Sequence, residues 1–104
     1  MALSKEQIAE FEAKFGTVAH VVGKGGAWEA VFRKPNRMQY KRFRSLLFND
    51  ATKADANETL VRACVVYPEP STFDALLEEY PAICEAASER VLAMTGIKAE
   101  EEEK

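Results

Sequence analysis

Apolar residues near the N-terminus recur at the period of an α-helix. Ile8, Phe11 and Phe15 lie three and four residues apart, so they share one face of a helix predicted over residues 5–15. Ser4 is a favourable N-cap for this helix, because its hydroxyl can accept a hydrogen bond from a backbone N–H in the first turn. The chain therefore begins with a short amphipathic helix, which Gly16 ends.

The next segment changes to the period of a β-strand. Trp28, Ala30 and Phe32 alternate with more polar positions across residues 27–33, and residues 17–22 are rich in β-branched side chains. A glycine-rich loop separates the two runs, which predicts a β-hairpin. The loop is no phosphate-binding loop, since its glycines do not fit the GxxxxGK[ST] pattern and a strand follows it.

Helical periodicity returns after Pro35 and predicts four further helices. The first covers residues 37–48 and has Asn36 as its N-cap, and the second has Thr52 as its N-cap and ends at about Tyr67. The third has Ser71 as its N-cap, and the fourth runs from Pro81 to Gly96. The predicted order is α-β-β-α-α-α-α, which gives an α+β fold with an N-terminal helix and hairpin followed by a bundle of about four helices.

These elements form one expected domain over residues 1–97. Residues 1–35 contribute the helix and the hairpin, residues 36–97 the helical part, and residues 98–104 a disordered acidic tail. Residues on the apolar faces should be largely buried: Trp28, Phe32, Tyr40, Phe43, Leu60, Cys64, Leu76, Leu77 and Val91. The run from Leu60 to Tyr67 is apolar nearly all round, so it should be covered either within the domain or by a partner.

Charge is distributed unevenly along the chain. The formal net charge is -3. Residues 1–68 carry eleven Lys/Arg and seven Asp/Glu, giving +4, whereas residues 69–104 carry three and ten, giving -7. Arg37, Lys41 and Arg44 form one basic face of a helix. This face either attracts an acidic partner or is neutralised by the acidic half of the chain, and the overall acidity favours neutralisation.

The side chains carry no recognisable catalytic or metal-binding pattern. Cys64 and Cys84 stand far apart outside any CxxC pair, and a single histidine, His20, is present. Neither Asp50 nor Asp55 has the spacing of a calcium loop. We therefore expect a protein that is not an enzyme and that binds neither cofactor nor metal. No run of about 20 apolar residues predicts a membrane helix, and no signal peptide is evident, so a cytoplasmic location is expected.

Three stretches of the sequence resemble the small tail assembly chaperones of long-tailed phages. They are Phe32-Arg33-Lys34-Pro35 followed by Tyr40-Lys41-Arg42-Phe43-Arg44, the helix end Leu60 to Pro68, and Phe73 to Pro81 before a final helix that closes on Ala93-Met94-Thr95-Gly96. The likeness covers about two thirds of the chain, excludes residues 1–16, and concerns packing residues and helix ends.

The resemblance implies a role in tail assembly inside the bacterial host cytoplasm, for a phage- or prophage-encoded protein. Such chaperones bind the long helical tape-measure protein and keep it soluble until tail-tube subunits polymerise around it, so the tail-tube protein is a second expected partner. The predicted contact residues are Val61, Val65, Met94, Arg37, Lys41 and Arg44. A homo-oligomer through the hairpin edge is a further expectation; nucleic acid and membrane are not expected partners.

Two alternatives remain open. The first is a small nucleic-acid-binding module that uses the basic helix of residues 37–48, although its aromatic residues Tyr40 and Phe43 lie on the apolar stripe. The second is a structural tail protein that stays in the virion.

Overall fold

The computed structural model describes residues 3–96, so the tail predicted over residues 98–104 lies outside the described part. Five helices and three strands follow one another, confirming the α+β class. Their bounds are α1 Lys5–Phe15, β1 Val18–Val22, β2 Glu29–Arg33, α2 Arg37–Leu47, α3 Ala56–Cys64, β3 Val65–Tyr67, α4 Pro70–Glu79 and α5 Ile83–Ala93. As predicted, α1 begins behind Ser4 and α2 behind Asn36, each with a reciprocal capping box to a glutamine.

The strands form one antiparallel sheet in the order β1-β2-β3. Val18 pairs with Arg33 and Val22 with Glu29, which confirms the hairpin, and β3 pairs with the other edge of β2. Within residues 3–96, β3 thus occupies the β2 edge of the hairpin, and no strand pairs with the β1 edge. That edge is itself contacted by α5, where the Arg90 guanidinium donates to the carbonyl of His20 at 3.4 Å.

The strand β3 corrects the prediction of one helix up to residue 67. Helix α3 ends at Cys64, and Val65–Tyr67 continues as a strand. Two β-branched residues in succession lose rotamer freedom in a helix, and the position before Pro68 is biased towards extended backbone. Pairing with β2 then satisfies backbone groups that a helix end would leave without partners.

The start of α3 was also predicted too early. Thr52 does not cap α3; its hydroxyl donates to the carbonyl of Leu46 at 2.9 Å and so closes the turn after α2. A 3₁₀ turn over Lys53–Asp55 precedes α3. The later helix starts shift less, since α4 begins at Pro70 and α5 at Ile83.

Helices cover both faces of the sheet. Ala30 and Phe32 of β2 join the main core with α3, α4 and α5, where Phe32 meets Phe73 edge-to-face with ring centroids 5.9 Å apart. Val31 points to the opposite face and is also buried. Its cross-strand neighbour Tyr67 contacts Phe11 of α1, so α1 covers that second face.

Five of the nine predicted core residues are buried: Phe32, Phe43, Leu60, Cys64 and Val91. The other four pack against the core while remaining partly exposed: Trp28, Tyr40, Leu76 and Leu77. Trp28 lies so close to Gly23 that a Cβ at Gly23 would overlap its indole ring. Glycine at this position therefore allows the tryptophan to close the end of the hairpin.

Candidate binding surface

The exposed side of α2 forms a shallow groove of about 780 Å³ lined by cations and aromatic rings. We call it the α2 groove; its residues are Arg37, Tyr40, Lys41, Arg44, Ser45 and Phe48. These positions follow the helical repeat, so one face of α2 presents them together. The opposite side of the same helix enters the core through Phe43.

Phe48 is the prominent apolar group of the α2 groove. Its side chain is 73% exposed, although it is among the largest apolar side chains of the protein. The Arg44 guanidinium lies over its ring, 5.2 Å from the centroid, as in a cation–π contact. The pair offers a flat apolar surface beside a fixed positive charge.

The local fold holds Phe48 in place without burying it. Its backbone N–H donates to the carbonyl of Arg44 at 3.0 Å, at the C-terminal end of α2. The Thr52 hydroxyl then secures the following turn through Leu46. The exposure of Phe48 is thus a property of an ordered helix end.

The basic side chains of the α2 groove take part in none of the ion pairs within residues 3–96. Those ion pairs join His20 to Glu29, Lys53 to Asp50, and Arg62 to both Glu58 and Asp74. Neutralisation of the basic face by the acidic half of the chain, which the composition favoured, is therefore not seen in the described residues. The α2 groove keeps its positive charge towards solvent there.

The structure separates the six predicted contact residues into two groups. Arg37, Lys41 and Arg44 line the α2 groove. Val61 was wrongly predicted as a contact residue, because its side chain is 0% exposed in α3. Val65 lies in β3; it and Met94 are partly buried against the core, and neither lines the α2 groove. The apolar run from Leu60 to Tyr67 is thus covered largely within the domain.

Sequence reasoning missed Phe48 as part of the site. The periodicity makes it the last residue of the helix predicted over residues 37–48, whose apolar stripe carries Tyr40 and Phe43. The signal was present, since Phe48 lies four residues after Arg44 and so extends the basic face rather than the apolar one.

A second polar cluster joins the N-terminus to the hairpin. The Glu29 carboxylate contacts His20 Nε2 at 2.5 Å and accepts from the backbone N–H of Leu3 at 3.0 and 3.1 Å. Partial burial alone raises the pKa of the Glu29 carboxyl, but the hydrogen bonds from Leu3 and His20 and the charge of His20 outweigh it, and the pKa is lowered. The cluster fastens the start of α1 to the sheet.

The cysteines and acidic residues form no metal or thiol site in the described part of the chain. Cys64 and Cys84 are free and buried, and burial raises the pKa of each thiol to about 11. No group of three or more potential metal ligands occurs within residues 3–96. Over the same range, no helix is long and apolar enough to cross a membrane.

The chain belongs to the family described as a domain of unknown function, DUF6848, whose model matches residues 5–104. The curated proteins contain no match. Among solved structures, the chain is similar to the uncharacterised protein rbstp2171 from Bacillus stearothermophilus, with 22% identity and a TM-score of 0.75. That likeness covers 93% of this chain and 99% of the other, and it shows a shared fold.

Proposed function

We propose that this protein is a non-catalytic binding module whose α2 groove receives an amphipathic helix of a partner protein. The observation that carries the proposal is Phe48, 73% exposed on an ordered helix end beneath the Arg44 guanidinium. Aromatic and arginine side chains are the residue types that most often dominate the energy of protein interfaces. A helix with an apolar stripe and flanking carboxylates would match both features.

In its more specific form, the proposal makes the partner the tape-measure protein of a long-tailed phage. The sequence resemblance to tail assembly chaperones supports this identity, and three residues of the α2 groove, Tyr40, Lys41 and Arg44, belong to a stretch that carries the resemblance. The chaperone would act in the host cytoplasm, cover apolar helix surface of the tape-measure protein, and release it as tail-tube protein assembles.

Burial of Phe48 sets the scale of the expected effect. Covering a phenylalanine side chain contributes about 1.5–3 kcal/mol, and its truncation at an interface centre costs about 2 kcal/mol. We therefore expect Phe48→Ala to raise the Kd for the partner by about thirtyfold.

The test is co-expression with a long helical tape-measure protein of a long-tailed phage, followed by co-purification and solubility measurement. Phe48→Asp and Arg44→Glu should abolish co-purification. Met38→Asp and Arg42→Glu are matched controls, since both residues are exposed on α2 but do not line the groove. Both variants should still co-purify with the partner. If the long protein is equally soluble alone and never co-purifies, the chaperone proposal fails.

A nucleic-acid function is the second candidate, because single strands also bind to grooves that combine cations with exposed aromatic rings. The α2 groove has that combination in Arg37, Lys41, Arg44 and Phe48. This candidate would be favoured by micromolar binding to a single-stranded oligonucleotide that weakens steeply with salt. Arg44→Glu should then remove the binding, and Arg42→Glu should not. A virion protein would instead be found in purified particles.

A further inference from the structure

We infer that the acidic segment of residues 97–104 binds back onto the α2 groove and competes there with the partner. The inference rests on the proposed use of that groove and concerns its regulation. The sequence of the segment contains four consecutive glutamates, Glu100 to Glu103. It follows directly on the last described residue, Gly96, and the family model extends through it.

The point where the described chain leaves α5 favours this occupant. Thr95 lines a small depression together with Lys34, Asn36, Arg37 and Tyr40, at the N-terminal end of α2. Arg37 and Tyr40 also line the α2 groove, so the two depressions lie beside each other on α2. The acidic segment therefore starts at one end of a positively charged surface.

The length of the segment is sufficient to reach the rest of the groove. Arg37 and Arg44 are seven residues apart on a helix, or about 10 Å along its axis. An extended chain gains up to about 3.5 Å per residue, so Glu100 reaches about 14 Å from Gly96 and Glu103 about 24 Å. The four carboxylates can thus span Arg37, Lys41 and Arg44 without any change in the described fold.

Charge complementarity makes this contact favourable within one chain. The groove cations have no carboxylate partner among residues 3–96, whereas the segment supplies four glutamates against two lysines, Lys98 and Lys104. Each exposed ion pair is weak and is screened by salt. Tethering beside the groove gives the segment a high effective concentration, so weak contacts suffice to occupy the groove for much of the time.

The test uses the full chain, a variant that ends at Gly96, and a synthetic octapeptide of residues 97–104. Amide NMR spectra of the full chain and the shortened variant should differ at Arg37, Tyr40, Arg44 and Phe48. The octapeptide should shift the same amides of the shortened variant but scarcely those of the full chain, where the tethered copy already occupies the groove. Added salt of about 0.5 M should suppress these shifts.

Two matched comparisons identify the contact. A peptide with all four glutamates changed to glutamine should cause no amide shifts. In the shortened variant, Arg44→Glu should abolish the amide shifts that the octapeptide causes, whereas Arg42→Glu should keep them. Identical α2 spectra with and without residues 97–104 would overturn the inference. Because these measurements need no partner, they can succeed when the chaperone proposal fails. If a partner does bind, removal of the segment should tighten its binding about three- to tenfold.

Discussion

Replacing Val61 by aspartate tests whether this residue belongs to the core or to a binding surface. Val61 lies in α3, near the start of the apolar run that the sequence alone allowed to face a partner. Its side chain is 0% exposed and belongs to the main core cluster. The substitution should therefore unfold the protein rather than merely weaken partner binding.

The expected cost has three parts. Loss of the buried valine removes about 1.5–3 kcal/mol of hydrophobic stabilisation. A neutral carboxyl without a hydrogen-bond partner costs about 1–3 kcal/mol more. At pH 7 the carboxyl must also bind a proton well above its usual pKa near 3.9, which costs about 4 kcal/mol. The sum is comparable to the free energy of unfolding of a small domain, which is about 5–15 kcal/mol.

Urea unfolding followed by circular dichroism and by fluorescence of Trp28 measures this cost. Val61→Asp should show no folded baseline at pH 7. Val61→Thr keeps the shape but buries a hydroxyl, so it should remain folded and lose about 1–3 kcal/mol. Ala63→Asp is the matched control, because Ala63 is exposed on the same helix, and it should change the free energy of unfolding by only about 0.5 kcal/mol. A Val61→Asp protein as stable as the Ala63→Asp protein would refute the core assignment.

Three further predictions concern the fold. A double-mutant cycle with Phe32→Leu and Phe73→Leu, measured by urea unfolding, should give a coupling energy of about 0.5–1.5 kcal/mol from their edge-to-face contact. The Glu29 carboxyl has a lowered pKa in the folded state, so its contribution to the free energy of unfolding is present at neutral pH and is lost as pH falls through that pKa. Glu29→Gln should therefore make the free energy of unfolding depend less steeply on pH in the acid range. Cys64 and Cys84 should react with a thiol reagent only as fast as the protein opens, because both thiols are buried and have pKa values of about 11.

The sequence predicted those elements whose limits are set by local chemistry. Ser4 and Asn36 mark helix starts because their side chains accept hydrogen bonds from nearby backbone groups. The hairpin followed from alternation around glycines. The strand β3 could not be predicted in this way, because the apolar pattern at residues 65–67 fits a buried helix as well as a strand. The pairing with β2 helps to decide between them, and the edge that offers it exists only in the folded sheet.

The same limit applies to the candidate site. Helical spacing was enough to place Arg37, Lys41 and Arg44 together on α2. It could not show that Val61 is buried in the main core cluster, because burial depends on elements distant in sequence. It also could not show that Arg33 is committed to the fold, where its guanidinium donates to the Gln39 side chain at 3.1 Å and to the carbonyl of Ala63 at 3.0 Å.

The construction of α2 explains why its outer face is available for binding. A helix of eleven residues is marginal by itself, so α2 needs support from caps and packing. Asn36 supports its first turn, the Thr52 hydroxyl its end, and Phe43 anchors its middle in the core. None of these contacts uses the α2 groove. Substitutions of Arg44 or Phe48 should therefore weaken partner binding while the free energy of unfolding changes by no more than about 0.5 kcal/mol. Loss of binding by such a folded variant would then show that the α2 groove contacts the partner.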